Sequence, residues 1–465
     1  MAQELDTDVV VIGGGPAGAA FARKLAEFGH QIVILEKAAF PRPHVGICLS
    51  DATEMLLDQF NVRDAVHSAG FFRRKSVLVK WGTDQPLISD QPGLHVDRGV
   101  FDRILLESAR RASVTTIQPG RFLTARRRLG GWQVIVENGQ RTINLQSRFL
   151  VDASGRANAF PGQQVRYAPP LFALHATWRL CNRPDYDGIM ESGKNAWMWI
   201  ACLAGQEAQI SVYTDPALLA SRGKRSVGSY YESMLDEFSL IRHFHRDEIL
   251  GEIQCCDASS RHSSHPVGAD FLRVGDANLS LDPMASQGVH LALTSGIQAA
   301  IVVNTILCFP ELALIAQRFY QERQEERVRQ FRHRTASEYQ RVACFSSESF
   351  WQERAINAVR PPPVHADNRL PLTPSQTLEL SPHAQFLETP VMKSDRISLE
   401  PALHHPRLDR PVAFVGETEV CPLLRGLNGN HTVGAILAAW ESKIPGNLGL
   451  QIIQWLWEHE VLVAR

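Results

Sequence analysis

The chain has 465 residues, and 48 Lys and Arg set against 49 Asp and Glu give a formal net charge of −1. That balance offers no electrostatic case for a nucleic-acid partner, although a local basic strip runs from Arg110 to Arg128. The length exceeds what one hydrophobic core usually supports, so two or three domains are expected, and 44% hydrophobic with 21% charged residues describes a soluble globular protein.

Glu4, Asp6 and Asp8 lead straight into a strand without the basic region and apolar core of an export signal. No stretch reads as the roughly 20 apolar residues that cross a bilayer, so a cytoplasmic chain without a membrane partner is expected.

The hydrophobic run Val9-Val10-Val11-Ile12 enters Gly13-Gly14-Gly15-Pro16-Ala17-Gly18, and a second run, Ile32-Val33-Ile34-Leu35, ends at Glu36 and Lys37. This spacing predicts a buried strand, a tight glycine turn, a helix from about Gly15 and a second strand. Gly13, Gly15 and Gly18 suit the turn, close backbone approach to a pyrophosphate and close helix packing. The helix N-terminus favours phosphate, and Glu36 can accept ribose hydroxyls.

Downstream, Ser76–Trp81, Phe172–Trp178 and Gln209–Tyr213 alternate as antiparallel strands of one sheet. Phe149-Leu150-Val151-Asp152-Ala153-Ser154-Gly155 is another strand ending in a turn. Trp197 and Trp199, two residues apart, share a strand face, as a pocket wall or as ordinary core. Arg273-Val274-Gly275-Asp276-Ala277, then Asp282-Pro283 and Gly288 before an apolar helix, form a second nucleotide signal. Asp276 suits a ribityl hydroxyl, and the helix N-terminus near Gly288 suits negative charge on a flavin.

The eight cysteines show no paired metal spacing, so neither a metal nor a disulfide is assigned. Cys255-Cys256 reads as buried strand. Residues from about Leu293 to Val342 are helical, with a solvated charge run at 321–327. Residues 346–410 read as a Pro-rich linker or strap. From 411 on, a short strand at Val412–Val415, a helix after the Thr432 cap, a second helix at Leu448–His459 and a strand at Val461–Val463 make a small module.

On these residues, about 5 to 345 of the chain resemble the single-chain FAD monooxygenases of the hydroxybenzoate-hydroxylase type and, within them, the flavin-dependent halogenases. Arg98 in His95-Val96-Asp97-Arg98-Gly99 matches the family arginine on the FAD side, Asp152–Gly155 the middle signature, and Gly275-Asp276 with Asp282-Pro283 the third. Phe40–Gly46, containing Arg42 and His44, looks like the halogenase segment after the ribose acid. Phe72-Arg73-Arg74-Lys75 looks like its lysine motif. Ser286–Ala292, with Gln287, Gly288, Val289 and His290, looks like its flavin-facing loop. Trp197-Met198-Trp199-Ile200 begins its tryptophan signature, but Ala201-Cys202 stands where that family has isoleucine and proline.

The resemblance implies an α/β fold. A Rossmann-type FAD-binding domain (about 1–70, 97–165 and 260–345) is interleaved with an antiparallel β substrate domain (about 71–96 and 166–259), followed by the strap and a module at 411–465 similar to winged-helix peptide-docking domains. FAD is expected on Gly13, Gly15, Pro16, Ala17, Gly18, Glu36, Lys37, Arg42, Arg98, Asp276, Pro283, Gln287, Gly288 and Val289. By the halogenase resemblance Lys75 positions the transferred group; alternatively it is a solvated charge. His44 and His290 are candidates for proton transfer.

Core and tail together are similar to flavoproteins that hydroxylate tryptophan in cysteine tryptophylquinone biogenesis of quinohaemoprotein amine dehydrogenase. This implies molecular oxygen, NAD(P)H used directly or through a reductase, and a small tryptophan-bearing protein or peptide, in complex with its earlier modifying enzyme in one version, as partners. Halogenation of a tryptophan-like ring and a non-catalytic flavin-containing peptide chaperone are the alternatives.

Overall fold

The computed structural model describes residues 4–42, 47–182, 185–221, 227–244, 246–356, 372–427 and 429–464. They form two compact units, residues 1–308 with 320–359, and 309–319 with 360–465.

In the first unit, strand Glu4–Ile12 lies in parallel between Ile32–Leu35 and Arg141–Asp152, with Val9 opposite both Ile32 and Phe149. Val9, Val10, Val11 and Phe149 are fully buried, as a parallel strand covered on both faces requires. Thr115–Ile117 extends the sheet beyond Ile32–Leu35, and Phe271–Arg273 pairs with the far end of Arg141–Asp152, also in parallel. Gly131–Asn138 and Arg121–Arg128 add an antiparallel flank. This is the predicted Rossmann-type sheet.

Two helices clamp one another behind the glycine turn. Helix Pro16–Ala26 begins with proline at its first position and lies against helix Gly288–Cys308. A Cβ added at Gly296 would sit 2.8 Å from the Ala17 carbonyl oxygen. Helix Gly288–Cys308 corrects one expectation, because its 21 residues are long and apolar enough to span a membrane, with a mean hydropathy of 1.8. Yet 72% of that window is buried in the protein, and Ser295, Gln298 and Asn304 are buried along it, so it is the core helix of this unit.

The predicted second sheet has eight strands, ordered Arg246–Asp257, Phe172–Leu180, Glu207–Thr214, Ala196–Cys202, Gly188–Ser192, Phe72–Lys80, Leu87–His95 and Cys48–Ser50. All neighbours are antiparallel except Gly188–Ser192 with Phe72–Lys80. One face packs Leu174, Met198, Ile210 and Val212 under Tyr230, Tyr231 and Leu235 of helix Val227–Leu235. The other carries Trp197, Trp199 and Tyr213 toward Met284, Tyr339 and Trp351. Cys255 lies in a strand as expected but is exposed, because the sheet edge leaves it uncovered.

The second unit has its own core around Leu378, Leu403, Val420, Ile436, Trp440, Ile452 and Leu456. The Thr432 side chain accepts from the Ala435 N–H at 3.2 Å and opens helix Val433–Trp440; helix Gly446–Glu458 and strand Leu462–Ala464 follow. Part of the stretch read as a strap is regular structure. Helix Ser349–Ala355 buries Trp351 in the first unit, with its Nε1 donating to the Gly193 carbonyl at 3.1 Å. Strand Thr377–Leu380 lies between His431–Thr432 and Leu462–Ala464, and Gln385–Met392 pairs with Ile397–His404. In a two-stranded ribbon every strand is an edge, so Pro390 and Pro401 fit without a lost ladder bond.

The helix clamp yields a stability prediction. Gly296→Ala pushes a methyl onto backbone, and overpacking of this kind costs about 1–3 kcal/mol. Thermal melting should show a lower Tm than wild type; an unchanged Tm would mean that the helices separate freely.

Candidate functional site

The glycine turn is built to admit no side chain. A Cβ at Gly13, where φ is +111°, would lie 2.4 Å from the Ala153 carbonyl oxygen, and one at Gly18 would lie 2.0 Å from the Gly13 oxygen. Gly15 caps helix Pro16–Ala26 with no side-chain bond, so the first N–H groups face the space beyond the turn. Glu36, 5% exposed, holds the turn in place: its Oε2 accepts from the Gly14 N–H and its Oε1 from the Ala38 N–H, both at 2.9 Å.

A chain of charges borders this turn. Arg98 Nε meets Asp102 Oδ1 at 3.0 Å, Arg42 Nη2 meets Asp102 Oδ2 at 3.3 Å, and Arg42 Nε lies 3.9 Å from Glu36 Oε1. Asp102 is fully buried, so one carboxylate orients two guanidinium groups beside the helix N-terminus. A Cβ at Gly15 would stand 3.6 Å from Arg42 Nη2. Pro16, Ala17 and Val289 are buried, whereas Lys37 is exposed.

Asp276 follows strand Phe271–Arg273 in the turn Gly275–Ala277, where its Oδ2 lies 3.4 Å from Arg156 Nε. Arg156 also donates to the carbonyls of Ser259 and Leu281. Asp282 caps the next turn, with Oδ1 accepting from the Met284 N–H and Oδ2 from the Tyr339 hydroxyl, each at 3.0 Å. Burial pushes the Asp282 carboxyl above the usual carboxylate range. Pro283 and Gln287 are half-buried, and nothing stands within 4 Å of a Cβ placed at Gly288.

Phosphate-facing N–H groups, a fixed ribose acid, oriented arginines and a second acid turn before a helix N-terminus fit a dinucleotide carrying a flavin. The residues expected to hold FAD fall in these turns, except that Lys37 is turned to solvent.

The sheet face bearing Trp199 gathers aromatic and titratable side chains. Trp197 belongs to the core: it stacks on Tyr213 at 3.8 Å and its Nε1 lies 3.2 Å from the Tyr339 hydroxyl. Trp199 is half-buried, edge-on to His95 with ring centroids 6.2 Å apart, and beside the Cys48 thiol, which burial pushes up to about 11. Opposite Trp199 is Ser211, and opposite Ser211 is His175, so strand register puts all three on one face.

His95 Nδ1 donates to the Cys202 carbonyl at 2.7 Å, leaving Nε2 bare and buried; His175 Nε2 is likewise buried and unbonded. Burial, aided by the Arg74 charge, pushes His95 down to about 4, and burial lowers His175. Both imidazoles are therefore neutral near pH 7.

Lys75 is exposed at an irregularity in the strand pairing, its N–H donating to Asp187 Oδ2 at 2.7 Å, while Arg74 beside it is buried. His290 is half-buried near Arg327 and its Nδ1 lacks a hydrogen bond; burial and that guanidinium lower its pKa. His44 lies outside the described residues. Sequence reasoning passed over Asp102, Arg156 and Tyr339, as well as His95 and His175. His95 and His175 stand inside quoted segments, but only three-dimensional packing shows what they face.

Fold and site define an FAD-dependent oxidoreductase with a Rossmann-type FAD-binding fold. The pyridine nucleotide-disulphide oxidoreductase family model matches residues 7–126. Tryptophan 2-halogenase of Chondromyces crocatus is 30% identical over 341 residues, 68% of this chain; the chain thus spans 64% of that relative's length. The putative FAD-dependent oxidoreductase LodB of Marinomonas mediterranea is 26% identical over 75% of this chain and 96% of its own length.

Among solved structures, the flavin-dependent halogenase CmlS superposes with a TM-score of 0.80 at 18% identity, covering 99% of this chain and 96% of that one. QhpG, a peptidyl tryptophan dihydroxylase essential for tryptophylquinone cofactor biogenesis, superposes with a TM-score of 0.74 at 25% identity, covering 97% and 98%. Flavin-dependent halogenases and oxidoreductases are therefore this chain's relatives.

Two predictions follow from the geometry. In Glu36→Gln an amide N–H must face the Gly14 or Ala38 N–H, so FAD should bind about tenfold more weakly, a loss of about 1.4 kcal/mol. Fluorescence of released FAD on dilution measures this, and unchanged retention would contradict it.

For His95 the folded pKa is depressed. Its contribution to stability is complete above its ordinary value of 6.5 and is lost as pH falls to about 4. The loss is roughly 3 kcal/mol. His95→Gln should flatten the dependence of Tm on pH across that window, and an unaltered slope would refute the assignment.

Proposed function

We propose that this protein is an FAD-dependent monooxygenase that hydroxylates the tryptophan side chain of a partner polypeptide during tryptophylquinone cofactor biogenesis. The observation that carries this reading is the end-to-end correspondence with the peptidyl tryptophan dihydroxylase at 25% identity, which takes in the C-terminal unit. Within that unit, strand Leu462–Ala464 is an edge of its three-stranded sheet, a geometry that accepts an added peptide strand. A docking module raises the effective concentration of a polypeptide substrate.

FAD, reduced by NAD(P)H directly or through a reductase, supplies an electrophilic oxygen atom from molecular oxygen. One oxygen atom replaces a ring hydrogen of the indole and the other leaves as water. The protein's own residues do the rest. Glu36, Arg42, Arg98 and Asp276 bind the cofactor. Trp199 offers an aromatic wall for an indole. The neutral His175, on the sheet face that carries Trp199, and His95, edge-on to Trp199, each have a bare Nε2 and are the groups assigned to accept the displaced ring proton. His44 and His290 stay candidates for the same step.

Halogenation is the second reading, favoured by the 30% identity to a tryptophan 2-halogenase. It asks Lys75 to reach the reacting atoms, whereas that lysine is exposed beside a buried Arg74. Hydroxylation makes no such demand.

Mass spectrometry of a tryptophan-bearing polypeptide after incubation with the reduced protein in oxygen separates the readings. Hydroxylation adds one or two oxygen atoms, in wild type and in Lys75→Ala alike. Bromine incorporation that disappears in Lys75→Ala would establish halogenation instead, and an unchanged mass with bound peptide would leave a chaperone.

A further inference from the structure

Arg74 is 5% exposed, on the strand that begins Phe72-Arg73-Arg74. Its Nε donates to the Gln91 carbonyl at 2.7 Å, and among the described residues its guanidinium has no carboxylate partner. Asp90, opposite Ser76 in the strand pairing, is exposed, and Asp187 is engaged with Oδ2 accepting the N–H groups of Lys75 and Ser76 at 2.7 and 3.2 Å. A buried cation without a counter-charge is costly, and buried charges are ordinarily paired.

Apart from Asp187, whose charge also reaches His95, the surroundings are shaped but neutral. Phe72, Arg74, His95 and Cys48 share one sheet face, since Cys48 lies opposite His95, His95 opposite Phe72, and Arg74 two residues along the strand from Phe72. Phe72 stacks on His95, which meets the edge of Trp199. Arg74 lies opposite Gly93, where a Cβ would stand 2.2 Å from the Leu49 carbonyl oxygen and 3.2 Å from Arg74 Nη2. Glycine there leaves the guanidinium its berth. The bare, nine-tenths buried His95 Nε2 adds a hydrogen-bond acceptor, because Nδ1 carries the proton toward Cys202.

We propose that Arg74 anchors a small monoanion beside His95, with His95 Nε2 accepting an N–H from the same ligand. The inference deepens the proposed function and rests on it for the indole. The anion has two possible sources, a carboxylate carried by the substrate or a free halide. The planar fork of a guanidinium matches a carboxylate with two parallel N–H groups, so the carboxylate is the expected source.

The test uses the full-length, FAD-loaded protein and two probes followed by flavin absorbance and calorimetry: indole-3-propionate, and 3-methylindole as its uncharged counterpart. Wild type should bind the carboxylate about tenfold more tightly. Arg74→Gln should abolish the difference while holding 3-methylindole unchanged, and Arg74→Lys should restore part of it. Sodium bromide forms the second arm. If the two indoles bind equally but bromide binds wild type and not Arg74→Gln, the anion is a halide.

Equal indole binding with no bromide effect overturns the proposal, as does a folded Arg74→Gln that keeps the wild-type preference. The wild-type comparison needs no variant, so it decides even if Arg74→Gln fails to fold. Anion preference without oxygen insertion into any tryptophan polypeptide would overturn the functional reading and leave the subsite standing.

Discussion

Everything in the first unit depends on how closely backbone approaches backbone at the glycine turn. Gly13 lies against Ala153 and Gly18 against Gly13, and the buried carboxylate of Glu36 ties the Gly14 N–H to the end of the second strand. That contact fixes the helix N-terminus in space. A dinucleotide placed there would meet mainly main-chain groups, so position matters more than side-chain identity. The same helix then fixes the third FAD segment, because Gly275 and Gly296 let it touch Ala17.

Around this fixed point the charges are arranged in relays. Asp102 orients Arg98 and Arg42; Arg156 braces Asp276 against two carbonyls; Tyr339 joins Asp282 to Trp197. The last relay crosses between the nucleotide-binding elements and the eight-stranded sheet. It separates the two tryptophans: Trp197 is a structural strut, and Trp199 is the half-buried indole next to the titratable groups. Two histidines held neutral by burial make this a wall that can accept protons without carrying charge of its own.

Much of this was legible in the sequence where the chemistry is local. Gly13, Gly18, Glu36 and the turn before Asp276 carry their reason in adjacent residues, so spacing alone placed the nucleotide elements. The strand alternation from Phe172 to Trp178 and from Gln209 to Tyr213 likewise reflects a period that any sheet imposes. What was not legible depends on register. Arg74 and Lys75 are equivalent on paper, and only the irregular pairing with strand Leu87–His95 decides which is buried. His95 and His175 are eighty residues apart, on strands separated by four others in the sheet. The prolines of 382–406 suggested a strap because proline breaks a central strand, yet a two-stranded ribbon has no centre. The 288–308 helix was read as apolar but not as long enough to cross a membrane, because small polar residues interrupt an apolar run that the core mostly buries.

The central claim is that FAD sits on the glycine turn with its reactive end toward the Trp199 face. Its most direct test is titration of the flavin-free protein with FAD while tryptophan fluorescence is followed, in wild type and in Trp199→Phe. Saturation at one FAD per chain, with a quenching amplitude clearly reduced in Trp199→Phe, is the predicted result. A protein that takes up no FAD, or quenching indifferent to Trp199, would contradict it.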